Sequence, residues 1–127
     1  MARIVGIDLG TTNSLVAVAE DGTPRIIEGP DGSRMVPSML HFGEDGSTRV
    51  GDAAREKMFD DSGHTIFSIK RFMGKGLKDV EDDLSLLPFE ASAESENIIR
   101  INAMGRAYTP PELSAFVLRE LKQRAEA

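Results

Sequence analysis

Cysteine does not occur in this chain of 127 residues, and histidine occurs only twice. Without cysteine there is no disulfide framework, no thiolate metal site and no sulfur nucleophile. Two histidines leave little room for an imidazole-rich metal centre. Long apolar runs are missing as well: nothing approaches the roughly 20 consecutive residues that cross a bilayer as a helix. The opening residues, Met1-Ala2-Arg3-Ile4, lead straight into a strand-like segment with no secretory pattern, so the expected compartment is the cytoplasm and no membrane partner is expected. Positive charge is in deficit. A formal net charge of −6 speaks against nucleic acid as a partner, because a phosphate backbone is gripped by a basic patch. It does not speak against a nucleotide, which backbone amides, hydroxyls and a magnesium ion can hold without an excess of lysine.

What is present is a globular composition, 40% hydrophobic, enough for the core of one compact domain or of part of a larger one. Ile4 to Asp8 is a short apolar run ending in an acid, and Leu15 to Ala19 is a second apolar run. Gly-Thr-Thr-Asn-Ser lies between them, which predicts two buried strands joined by a tight loop. Asp21-Gly22 suits a two-residue hairpin turn into a third strand at Pro24 to Glu28, and Asp31-Gly32 and Asp45-Gly46 repeat its chemistry. After Pro37, Met39 to Phe42 and Thr48 to Val50 are expected to pair around the last of these turns. Asp52 is the expected N-cap of a short helix through Phe59, and Thr65 that of another from Ile66 to Phe72. Gly74 to Glu96 reads as irregular. Ile98 to Asn102 and Arg106 to Tyr108 form a predicted hairpin closed by Met104-Gly105.

The plainest local signal comes last. Thr109-Pro110-Pro111-Glu112 offers a threonine N-cap, a proline at the first helical position and a glutamate three residues after the cap, the pattern of a capping box. Leu113, Phe116, Val117 and Leu121 follow at helical spacing and form an apolar face that must dock on something. The sequence reaches Ala127 with neither a glycine cap nor a proline stop, and the expectation is a truncated element.

Chemistry concentrates in Asp8-Leu9-Gly10-Thr11-Thr12-Asn13-Ser14. Gly10 allows a sharp turn and the close approach of a bulky anion, since no Cβ stands in the way. Successive backbone N–H groups, with the Thr11 and Thr12 hydroxyls, can wrap phosphate oxygens. Asp8, at the end of its strand, is placed to hold a hydrated magnesium ion. The competing explanation is an ordinary hairpin whose threonines and asparagine satisfy their own backbone; the acid-ending strand before the loop favours phosphate. Other features carry less. Lys70-Arg71 alone reads as a solvated helix end, and Gly74-Lys75-Gly76 lacks the remaining residues of a P-loop. Asp79, Glu81, Asp82 and Asp83 lack the glycine and final glutamate of a calcium loop and read as a solvated acidic surface. His41 and His64 have no paired ligand at useful spacing and read as satisfied structural histidines. The six methionines read as core filler.

Ile-Val-Gly-Ile-Asp-Leu-Gly-Thr-Thr-Asn-Ser at residues 4 to 14 resembles the first phosphate loop of the seventy-kilodalton heat-shock chaperones, the DnaK-like proteins. Further matches follow in that family's order: Pro37-Ser38, Val50-Gly51, Ile69-Lys70-Arg71 with Met73-Gly74, Leu87-Pro88-Phe89, and Thr109 to Ser114. The segment from Gly76 to Asn97 matches loosely. The resemblance implies an α/β chain with the actin-like ATPase fold, a ribonuclease-H-like sheet binding ATP in a cleft, of which only the first part of lobe I is present. Residues 1–37 would begin the inner subdomain, residues 38–110 would form the small α+β upper subdomain, and residues 111–127 a helix returning to the inner one. It implies ATP or ADP with magnesium as cofactors, Asp8 facing the metal through water, and Gly10, Thr11, Thr12 and Asn13 lining the β/γ-phosphate site. It implies that Lys70 is catalytic, reaching the γ-phosphate and orienting the attacking water, a role suited to phosphoryl transfer. Leu15 departs from relatives that carry an aromatic residue or a cysteine there.

The implied partners are unfolded polypeptides, a J-domain co-chaperone and a nucleotide exchange factor, with ATP controlling peptide binding through lobe rotation. A second phosphate loop and the adenosine pocket would lie beyond Ala127. The fragment alone is therefore expected to be inactive, and its uncovered strands are expected to favour self-association. Two alternatives stand beside this one: a sugar or glycerol kinase of the same superfamily, and an interaction module without catalysis. Ile69-Lys70-Arg71 and Thr109-Pro110-Pro111-Glu112 fit the chaperones better than the kinases.

Overall fold

Along Asn13–Glu20 every second side chain from Ser14 to Val18 is buried, the period of a strand with one face on a core. This strand, β2, organises the first sheet. The structure is a computed structural model that describes residues 4–73, 87–95 and 98–126. β1 (Val5–Leu9) runs antiparallel to β2, with Leu9 opposite Ser14 and Val5 opposite Val18. β3 (Thr23–Ile26) returns along β2 through Asp21 and Gly22, both at positive φ, 51° and 79°, as a two-residue hairpin turn requires. β4 (Val36–Pro37) pairs with the start of β2, Val36 opposite Ser14. Ser14 also pairs with β1, so β4 and β1 lie on opposite edges of β2.

Two smaller sheets follow. β5 (Met39–Phe42) lies between β6 (Thr48–Val50) and β7 (Thr65–Phe67), and β9 (Ile98–Ala103) lies between β8 (Glu90–Ser95) and β10 (Arg106–Tyr108). The β9–β10 turn places Met104 at φ 48° and Gly105 at φ 77°, the same hairpin chemistry as at Asp21-Gly22. The helices are the single turn α1 (Asp52–Arg55), the long α2 (Pro110–Glu126), and 3₁₀ turns at Ser62–His64 and Ile69–Phe72. The capping box forms: Glu112 N–H donates to Thr109 Oγ1 at 3.4 Å, and Thr109 N–H donates to Glu112 Oε1 at 3.3 Å. Leu113, Val117 and Leu121 are buried and Phe116 half-buried, packed into one core with Val16, Val36, Leu40, Ile66 and Ile101. Phe42 of β5 stacks on Tyr108 of β10 at 4.8 Å and meets Phe116 of α2 edge-on at 5.6 Å, tying two sheets to the helix.

Several expectations need correction. β1 is not buried: Gly6, Ile7 and Asp8 are exposed, because β2 is its only ladder partner among the described residues. The N-cap of α1 is Gly51, not Asp52, and the helix stops at Arg55. Gly51 takes φ 77°, and a Cβ there would lie 2.9 Å from Val36 Cγ1, so the chain passes β4 too closely for any other residue. Asp52 is spent on an ion pair with Arg55 at 2.6 Å. Thr65 opens strand β7 rather than a helix, its hydroxyl donating back to Asp61 O at 2.9 Å. The segment from Ile66 is helical only as the 3₁₀ turn Ile69–Phe72. Glu90–Ser95 is a strand inside the stretch expected to be irregular, held by pairing with β9 rather than by any propensity of Glu-Ala-Ser-Ala-Glu-Ser. Gly74-Lys75-Gly76 and the acids from Asp79 to Asp83 lie outside the described residues.

Candidate functional site

The bend between β1 and β2 is tight at Gly10. A Cβ on Gly10 would sit 2.2 Å from the carbonyl oxygen of Asn13, so the chain crosses itself at a separation only glycine permits. Thr11 is half-buried, while Thr12, Asn13 and Asp8 are exposed. The side chain of Asp8 makes no hydrogen bond or ion pair among the described residues. Backbone amides and hydroxyls gathered at such a bend, with a free carboxylate on the strand beside them, can meet a phosphate and its accompanying cation.

Ser38 underlies the bend. Its N–H donates to Thr12 O and its hydroxyl to Gly10 O, both at 2.9 Å, and its Oγ lies 2.8 Å from Ser14 Oγ. Sequence reasoning noted Pro37-Ser38 as part of a resemblance and gave it no role. The only local signal was a hydroxyl residue amid buried apolar neighbours; its partners are 24 and 28 positions away.

A small cavity of about 140 Å³ flanks the loop, lined by Thr11, Thr12, Ser38 and Ser68 with Met39, Met58 and Phe67. Ser68 ends the approach from β7 in the left-handed region at φ 56°, turning the chain into Ile69–Phe72. Lys70 lies two residues further on, exposed, without an ion pair among the described residues, and is not part of the cavity wall. The fold thus brings the segment carrying Lys70 to the loop carrying Thr11 and Thr12. A wider cleft of about 750 Å³ lies along β3 and does not touch these residues. Its Arg25, Arg34 and Arg124 are engaged with Glu20, Glu28 and Ser33.

The two histidines converge on one carboxylate. His41 Nε2 donates to Asp61 Oδ2 at 2.9 Å and His64 Nδ1 donates to Asp61 Oδ1 at 2.8 Å. These bonds, that from His41 foremost, hold the Asp61 carboxyl below the usual carboxylate range. His41 is buried, and its Nδ1 has no hydrogen-bond partner among the described residues. Among the described residues no group of three or more His, Asp or Glu is arranged to ligate a metal directly.

A family model described as Hsp70 protein matches residues 4–127. The chain belongs to the Hsp70 family. Membership implies the actin-like ATPase fold for these mixed strands and helices, and makes the protein an Hsp70 chaperone rather than a polyol kinase. Proteins of the Hsp70 family generally bind ATP or ADP with magnesium. The exposed Thr12 and Asn13, and an Asp8 carboxylate without a partner among the described residues, suit such a ligand on this chain. No helix among the described residues is long and apolar enough to cross a membrane.

Proposed function

We propose that this chain supplies the first phosphate-binding loop and the catalytic lysine of an ATP-driven chaperone. In this reading Gly10, Thr11, Thr12 and Asn13 hold the β- and γ-phosphates, and Lys70 closes over the γ-phosphate and orients the attacking water. Asp8 would hold a nucleotide-bound magnesium ion through water, in keeping with the ion's reluctance to shed its hydration shell, and the ion would supply charge neutralisation at the phosphates. Phosphoryl transfer asks mainly for positioning and charge neutralisation, which amides, hydroxyls and an ammonium provide. The first sheet would begin the inner subdomain, residues 38–110 the upper one, and residues 111–127 the helix that returns. ATP turnover would govern the grip on unfolded polypeptide through domain rotation, with a J-domain co-chaperone and a nucleotide exchange factor acting on the whole protein.

The observation that carries this is the self-crossing at Gly10, where a Cβ would meet Asn13 O at 2.2 Å, on a loop that shares a cavity with Ser68, two residues before Lys70. A hairpin with no ligand to admit has cheaper turns available. The test is single-turnover ATP hydrolysis by the intact protein. Lys70→Ala is expected to slow the chemical step on the order of a hundredfold, the usual loss when one charge-stabilising donor is removed. Unchanged rates would remove Lys70 from the mechanism.

A further inference from the structure

A hydroxyl carries one proton, and two buried hydroxyls in contact must divide their donors between them. Ser38 Oγ lies 2.9 Å from Gly10 O, which can only accept, so the Ser38 proton is committed there. The 2.8 Å contact with Ser14 Oγ is therefore donated by Ser14. The result is a directed chain from the Ser14 hydroxyl to the Ser38 hydroxyl to the Gly10 carbonyl, while Ser38 N–H holds the Thr12 carbonyl at 2.9 Å. Both serines are sealed from water, at 2% and 4% exposure.

The consequence follows from peptide planarity. In a trans peptide the C=O of one residue and the N–H of the next point in opposite directions, and no peptide bond among the described residues is cis. Turning the Gly10 and Thr12 carbonyls onto Ser38 turns the amides of Thr11 and Asn13 away from it. We propose that Ser38 is a positioning residue for the phosphate loop: by holding two carbonyls on one side, it aims the Thr11 and Asn13 N–H groups at the anion on the other. The proposal rests on the phosphate reading of the loop. It adds that the aim of the donors is set from β4 and the residue after it, not from within the loop. Preorganised donors are worth more than donors that must reorient as the ligand arrives.

The test is calorimetric binding of magnesium-ATP, magnesium-ADP and adenosine to the intact protein and its variants. Ser38→Ala leaves the half-buried Gly10 carbonyl and the buried Ser14 hydroxyl without their partner, and is expected to weaken ATP and ADP about tenfold while leaving adenosine unchanged. Ser38→Thr keeps the hydroxyl and is expected to recover affinity to within about threefold of wild type. If Ser38→Ala does not fold, Ser14→Ala serves instead. It spares the Ser38–Gly10 bond, and a weakening of ATP and ADP smaller than tenfold, again with adenosine unchanged, is expected. Unchanged ATP affinity, or an equal loss for adenosine, overturns the positioning role. Thr11→Ala separates the two readings. If it weakens ATP and the serine variants do not, only the Ser38 proposal fails; if none of them matters, or wild type binds no nucleotide, the phosphate loop itself fails.

Discussion

Asp61 receives a hydrogen bond on each carboxylate oxygen, from imidazoles 20 positions before it and three positions after it. An ionised carboxylate only accepts, so the protons sit on His41 Nε2 and His64 Nδ1. With its carboxyl held below the usual range, Asp61 contributes stability that is complete above the unfolded carboxylate range and is lost as pH falls through the lower, folded value. Asp61→Asn is therefore expected to be less stable than wild type at pH 7, and the gap is expected to begin narrowing only as pH falls below about 4. Urea unfolding of both proteins at several pH values measures it; a gap that stayed constant would mean that something other than the charge is responsible. Reading both histidines as structural and satisfied was right for the nitrogens facing Asp61. It missed His41 Nδ1, buried without a partner among the described residues. Asp61 drew no attention in the sequence, because nothing local relates it to His41.

Among the elements, α2 shows what neighbouring residues can decide. Thr109 and Glu112 exchange backbone and side-chain bonds, and the Thr109 hydroxyl also donates to Glu112 Oε1 at 2.9 Å. Thr109→Ala removes the cap and is expected to cost about 1 kcal/mol, read as a lower urea midpoint with an unchanged slope. The contrast is Thr65, an equally good cap by composition, whose hydroxyl is taken by Asp61 O and whose backbone pairs with His41 of β5. A threonine before an apolar run is ambiguous until it is known whether a strand waits beside it. Asp52 fails as a cap for a similar reason: the glycine before it is packed against Val36 of β4, and its N–H donates to Met39 O of β5 at 3.0 Å.

For the molecule as a whole, the open side of β1 is the main liability. β1 has β2 on one edge and no ladder partner on the other among the described residues, and Ile4 and Ile7 are 93% and 42% exposed. An uncovered strand edge with apolar side chains invites pairing with another chain. Concentration-dependent self-association of the 127-residue chain is the expected outcome, reduced by Ile7→Lys. Sedimentation velocity over a range of concentrations decides it, and a strictly monomeric profile at high concentration would count against the edge as the cause.

The hairpin turns at Asp21-Gly22 and Met104-Gly105, the capping box and the self-crossing loop at Gly10 were all legible in the residues, because each depends on the backbone freedom or side-chain reach of positions within about four of one another. The same holds for the apolar stripe of α2, which follows from helical spacing alone. Other features depend on partners distant along the chain. The exposure of β1 follows from its having no second ladder partner among the described residues, and Asp61 meets His41 of β5, 20 positions before it. Ser38 reaches Gly10 only because β4 pairs with the start of β2. Hydrogen bonds and burial of that kind are decided by which segments pack together, and no window of sequence contains both halves of the contact.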